Sequence, residues 1–205
     1  VMGLNSCNLN SRDLKITILH PNDVHSQIDP FPSNHNLYPN KGGFARRASL
    51  FKELITINPN TLIFDAGDIF QGTPYFNFFQ GELELNLMKM MGYNAATIGN
   101  HEFDAGLKTL KKNILNNNFQ FISSNYDFTN TELEGLIDKY KIYNKEGIKI
   151  GVFGLGIELK GLVNPLLYGE TNYYDPVDIA KDLSSKLKYE KGCDLVICIS
   201  HLGHE

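Results

Sequence analysis

Hydrophobic and polar positions follow two rhythms along this chain, and the switches between them mark its elements. KITILH, 15 to 20, is a short apolar run that reads as a buried strand. The stretch 26 to 42 holds Pro30, Pro32, Pro39, Gly42 and several asparagines, the composition of a loop. FARRASLFKELI, 44 to 55, then places Phe44, Ala48, Phe51 and Ile55 on one helical face. TLIFDAG, 61 to 67, is a strand running into a turn; ELELNLMKMMG, 82 to 92, is a helix closed by glycine; NAATIGN, 94 to 100, is a short strand and turn. A helix from about Asp104 to Asn116 precedes a strand, FQFISS, 119 to 124. KYKIY and IKIGVFGLG flank NKEG as a hairpin. A loop with Pro165 and Gly169 leads to a helix, 176 to 190, and a last strand, DLVICIS, 194 to 200. Strand and helix alternate, so the expected class is α/β with a largely parallel core. Residues 1 to 14 are polar and aperiodic and read as a flexible tail, leaving 15 to 205 as the folded part.

Composition changes this picture little. A chain of 205 residues, 42% hydrophobic and 20% charged, suits one globular domain. A net charge of −4 gives no reason to expect a nucleic-acid polymer as partner. No run approaches the ~18 apolar residues of a membrane span. Cys7, Cys193 and Cys198 are too widely spaced for a disulfide framework or a metal knuckle, and the two in the last strand region read as buried thiols. LNSC, ending at Cys7, loosely resembles a lipoprotein anchor site, without the charged and apolar regions that should precede it.

Candidate chemistry changes the picture more. Four polar clusters stand directly after strands: NDVH (22 to 25), AGD (66 to 68), GNHEFD (99 to 104) and SHLGH (200 to 204). In open α/β sheets the carboxyl ends of strands gather ligands into one crevice. The set that would converge is Asp23, His25, Asp68, Asn100, His101, Asp104 and His201. Its oxygen and imidazole donors suit Zn, Mn or Fe better than calcium. Asp68 could bridge two ions. With only Asp23 and Asp68 as anionic ligands, two dications would keep a charge of about +2, which favours a phosphate dianion. Each residue alone has a blander reading: Asp104 as a helix N-cap, Asp68 as a turn residue, His201 as an ordinary strand-end histidine, GNHE as a tight turn. The ordered set, each member at a strand end, is what outweighs them.

DxH, GD, GNHE and a later strand-end histidine, in this order, resemble the calcineurin-like metallophosphoesterases. ILHPNDVHS, KGGFARRASLF, LIFDAGDIFQGTPYF and MGYNAATIGNHEFDAGL are similar to the 5′-nucleotidase and UDP-sugar hydrolase branch over about 15 to 205. The resemblance implies layered β-sheets flanked by helices, with the active site at the strand C-terminal ends. It implies Asp23 and His25 on a first metal, Asp68 as the bridge, and Asn100 and His201 on a second. His101 would meet the phosphate and the leaving group, oriented by Asp104 as a His–Asp dyad. Hydroxide activated by the metals would attack phosphorus, with no phosphoenzyme. Nucleoside 5′-monophosphates are the implied substrates; 2′,3′-cyclic nucleotides or UDP-sugars would use the same site. A periplasmic, secreted or cell-surface location is implied as well.

Two departures qualify this. Pro21 stands where the family usually has threonine. No GHxH or GHxQ, the element that completes the family's metal sites, occurs within residues 1–205, and the C-terminal domain that reads the base in the family is expected beyond them, in cis or as a separate chain. Residues 1–205 therefore favour weak metal binding, and a non-catalytic fragment or binding module is the rival reading. Arg46 and Arg47 are expected to be solvated or paired on their helix. The aromatics Tyr75, Phe76, Phe78 and Phe79 are expected in core or interface packing rather than base stacking. His20 and His35 have no case as ligands, and His204 could at most support one.

Overall fold

The computed structural model describes residues 13–203. Most of the expected tail, the Cys7 anchor site and His204 lie outside the described residues. β1 (Thr17–Leu19) is followed by the long Pro-rich loop and α1 (Phe44–Ile57). β2 (Thr61–Asp65), α2 (Pro74–Phe79), α3 (Glu82–Met91) and β3 (Ala95–Ala96) come next. A 3₁₀ turn, His101–Phe103, precedes α4 (Leu107–Asn117) and β4 (Tyr126–Asp127). The hairpin is β5 (Tyr140–Lys145) and β6 (Ile148–Gly156). α5 (Pro165–Tyr168), β7 (Asn172–Tyr173), α6 (Pro176–Ser185) and β8 (Leu195–His201) close the sequence.

These strands form two main sheets. In the first, β1, β2 and β3 run parallel in that order; in the second, β6 pairs antiparallel with β5 and parallel with β8. The mixed α/β class expected from the sequence is what forms. Leu62, Phe64 and Ala95 of the first sheet pack against Ile150, Val152 and Ile199 of the second, so the two sheets face each other. Behind the first sheet, Leu85, Met88, Leu110 and Ile114 of α3 and α4 cluster with Phe70, Phe103 and Phe121. Behind the second, Phe153 and Leu155 meet Leu183 and Leu187. Helices thus flank a double β-layer. The period-two alternation of β6 accounts for its double role: even-numbered side chains point to the facing sheet and odd-numbered ones to α6.

Several elements differ from the sequence expectation, each for a local reason. FQFISS forms no strand of its own. Phe121 bridges Ala96 and Ile122 bridges Asp138, so the segment passes from one sheet to the other. α4 begins at Leu107 behind Gly106, because the 3₁₀ turn occupies the residues before it; Asp104 therefore does not cap α4. α6 ends at Ser185 and passes into a π turn, Lys186–Glu190. The Pro165 loop contains the short α5, capped by the Asn164 side chain. Phe44 and Phe51 of α1 are buried, but Ile55 is exposed near the helix end. Of the aromatics, Phe76 stacks on Phe70 at 5.9 Å, whereas Phe78 and Phe79 face solvent. Cys193 is buried; Cys198 is exposed, contrary to expectation, on a strand that pairs, among the described residues, with β6 alone.

Candidate metal centre

The strand ends do meet. Beyond Leu19 the chain leaves regular strand geometry but stays bonded to the turn that follows β2. Ala66 N–H donates to the Pro21 carbonyl at 2.9 Å, and the N–H groups of Asp23, His25 and Ser26 donate to the carbonyls of Gly67, Asp68 and Ile69 at 3.0, 3.1 and 2.8 Å. Pro21, the departure near Asp23, thus joins this ladder through its carbonyl. Asp23, His25, Ser26 and Asp68 all hold left-handed backbone, with φ of 50°, 44°, 50° and 54°. Such conformations cost roughly 1–3 kcal/mol each in non-glycine residues and persist only where surrounding bonds impose them. Here the two turns impose them on each other.

Asp68 is the hub. It is 4% exposed, and both carboxylate oxygens are engaged. Oδ1 accepts the His101 backbone N–H at 3.0 Å. Oδ2 lies 3.2 Å from His201 Nε2 and 3.9 Å from His25 Nε2. His25 Nε2 is also 3.8 Å from Asp23 Oδ1. His201 reaches the hub from the other sheet. Its Nδ1 lies 2.9 Å from the Ala66 carbonyl. A carbonyl can only accept, so Nδ1 carries a proton and Nε2 is turned toward Asp68. Ligand atoms of Asp23, Asp68 and His201 lie within 4.8 Å of one another, and so do those of His25, Asp68 and His101. Asp68 belongs to both groups. Asp23 and His25 also approach each other, so the donors form one continuous cluster around Asp68.

The 3₁₀ turn supplies the remaining candidates. His101 Nδ1 and Asp104 Oδ2 are 2.7 Å apart, a geometry the tight three-residue step makes possible. The His101 ring meets His25 edge-on at 5.1 Å. Asn100 heads the turn, its carbonyl accepting the Phe103 N–H at 3.2 Å, and stands beside the cluster because its neighbour's N–H is tied to Asp68. His35 is occupied elsewhere, accepting the Tyr38 N–H at 3.0 Å.

Charge and burial oppose each other here, and charge with hydrogen bonding wins. Burial alone would raise Asp68, but the His201 hydrogen bond, the His101 N–H and the imidazole charges hold it below the usual carboxylate range. Burial alone would lower His201, but the Asp68 hydrogen bond and charge push it up to about 9. The proton of the protein alone therefore sits where a cation would sit. Acid oxygens and imidazole nitrogens converging from two sheets, with the His201 tautomer already fixed, form a donor set that fits divalent metal.

One residue of the site escapes sequence reasoning. Glu102 is fully buried, and its carboxylate accepts backbone N–H groups of Asp68 at 3.0 Å, Ile69 at 2.7 Å and Gly99 at 2.6 Å. Burial, then the charge of Asp68, push it up to about 7. Its only sequence signal is its place inside GNHE, which does not show where the side chain goes.

A groove of about 880 Å³ opens beside Asp23 and His25, walled in part by Phe31, Lys41, Arg46 and Leu50. Arg46 donates to the Asn40 carbonyl, and Arg47 donates to the Tyr93 hydroxyl at 3.2 Å and lies 4.2 Å over the Phe44 ring. Both arginines are thus paired on or near their helix, as the sequence led us to expect.

The calcineurin-like phosphoesterase profile matches residues 16–205. A snake venom 5′-nucleotidase of Gloydius brevicauda is 35% identical over 92% of this chain and 33% of its own length. A 5′-nucleotidase of Vibrio parahaemolyticus is 34% identical over 93% of this chain and 34% of its own. The crystal structure of a 5′-nucleotidase precursor from Thermus thermophilus superposes with a TM-score of 0.81 at 32% identity, covering 92% of this chain and 37% of that one. The chain spans about a third of the length of the curated relatives it matches.

Proposed function

The chain belongs to the calcineurin-like phosphoesterase family, and from that premise we propose that it hydrolyses nucleoside 5′-monophosphates at a two-metal centre held by Asp23, His25, Asp68, Asn100 and His201. The observation that carries this reading is the double membership of Asp68: one buried carboxylate within 4.8 Å of two sets of donor atoms. Divalent cations, when bound, supply a charge for phosphoryl oxygens and lower the pKa of water. The protein's own groups do the rest. Asp104 holds Nδ1 of His101, so Nε2 is the atom left to face substrate. As the oxygen of water bonds to phosphorus and the ester P–O bond breaks, His101 Nε2 gives its proton to the departing oxygen; the proton released by the water passes to solvent, from which His101 is restored. Asp104 balances the charge of the imidazolium before that transfer and keeps the ring in place. The groove beside Asp23 and His25 offers room for the organic part of a phosphoester.

The nucleotide preference is supported by the 5′-nucleotidase names of the relatives, and a location outside the cytoplasm by the venom protein among them. Most of each relative lies outside the matched region, and selection among nucleotides is assigned to such further parts, in cis or on a separate chain. Among the described residues no helix is long and apolar enough to cross a membrane.

The test is hydrolysis of AMP, 2′,3′-cyclic AMP and UDP-glucose by the protein carrying this chain, with Mn²⁺ or Zn²⁺ added. AMP turnover is expected to lead. His101→Ala should lower kcat by roughly 10²–10⁴ with metal content unchanged. Unchanged kcat in that variant would sink the mechanism. Near-zero metal per chain after loading would favour a binding module instead.

A further inference from the structure

The metal ligands stand on turns, and turns are the most mobile part of most folds. Something must hold these turns in register, and the structure shows what. Glu102 Oε2 accepts from Asp68 N–H at 3.0 Å and from Gly99 N–H at 2.6 Å; Oε1 accepts from Ile69 N–H at 2.7 Å and faces Phe70 N–H at 3.4 Å. One side chain therefore binds the turn after β2 and the turn after β3 together. The bond is answered in the other direction, since Asp68 Oδ1 accepts the N–H of His101 at 3.0 Å. Two carboxylates thus each cap the other's turn. The turns also approach too closely for side chains: a Cβ on Gly99 would collide with the Asp68 carboxylate, and one on Gly67 would lie 2.8 Å from Gly99 N.

We propose that Glu102 is the positioning residue of the metal centre, locking Asp68 against Asn100 and His101 by accepting backbone N–H groups from both turns. It touches neither substrate nor metal. The inference rests on the metal reading proposed above. Its chemistry separates it from simple space filling. Glutamine has the same shape, but whichever oxygen becomes an amide nitrogen then points hydrogens at backbone N–H groups. A volume role tolerates Glu102→Gln; an acceptor role does not.

The experiment compares wild type, Glu102→Gln, Glu102→Asp and, as a fold control, Glu84→Gln, another fully buried carboxyl, on α3. Mn²⁺ affinity is measured by calorimetry, and amide hydrogen exchange by NMR on the metal-free protein. Glu102→Gln should bind Mn²⁺ about 10–100-fold more weakly. Exchange at the Asp68, Ile69 and Gly99 amides should rise about tenfold or more, with the Ile150 amide unaffected. Glu102→Gln with wild-type Mn²⁺ affinity, or with those three amides as protected as before, overturns the inference. If Glu102→Gln does not fold, Glu102→Asp, which keeps the acceptors but shortens their reach, must show the same two changes. Unfolding of both, with Glu84→Gln folded, would make Glu102 a stability residue only and also overturn the inference. No Mn²⁺ uptake by wild type would instead overturn the metal reading itself, while the exchange data would still show whether the clamp exists.

Discussion

Glu84 sits in the first turn of α3, fully buried, with neither carboxyl oxygen receiving a hydrogen bond among the described residues. Burial raises this carboxyl above its ordinary 4.5 and outweighs the Ser26 hydroxyl beside it and its own backbone N–H, which pull it down. The consequence for stability has a definite sign. Above pH 4.5 the unfolded chain releases the proton while the folded chain keeps it, so stability falls as pH rises toward the folded value. Glutamine does not titrate. Glu84→Gln should therefore melt higher than wild type at pH 7, by roughly 2–4 °C for each kcal/mol relieved, with the gain gone at about pH 4. Melting curves at the two pH values decide it; a loss at pH 7 would mean that the carboxylate is partnered. At this scale the sequence was most and least informative. Aspartates and histidines at strand ends announce chemistry by type and place, as Asp68 and His201 do. Glu84 and Glu102 look like any surface glutamate in a string of letters, because burial is a property of the fold and not of the residue.

Elements were legible where one period runs long enough to dominate. β6 alternates, α3 ends on a glycine with left-handed φ, and the β5–β6 turn has positive φ at both Glu146 and Gly147, the geometry that favours tight hairpins. Illegible were the places where a neighbour decides. FQFISS has strand composition, yet its backbone groups are divided between partners on two sheets, so no ladder grows. Asp104 has the composition of an N-cap, yet its carboxylate is committed to His101. An aspartate cap does form on α6, where Asp175 accepts the N–H groups of Val177 at 2.8 Å and Asp178 at 3.1 Å. Asp175→Ala should cost about 1 kcal/mol, seen as a lower urea midpoint, and leave any hydrolysis unchanged. A variant as stable as wild type would show that α6 is held by its buried face alone.

Across the whole molecule, the two sheets are stitched by FQFISS, expected as a strand, and by the asparagine that follows it. Ser124 N–H donates to the Gly154 carbonyl at 2.8 Å, and the Asn125 side chain bonds both the N–H and the carbonyl of Gly156 at 2.8 Å, replacing a strand partner. Gly154 permits the approach: a Cβ there would run into the Ile122 carbonyl and the Thr97 hydroxyl. Gly154→Ala should destabilise by roughly 1–3 kcal/mol, read from denaturant melts, although alanine is otherwise the milder residue in a strand. A neutral result would show that the sheets can separate without loss.

The bond from His201 to the Ala66 carbonyl has a mechanical meaning. It ties the end of β8, in one layer, to the turn beyond β2, in the other, beside the seam that Gly154 keeps narrow. A cation gripped by Asp68 and His201 would rivet the layers at that point. Catalyst and fastener would then be one object, and whatever strips the ion would loosen the protein as it silences it.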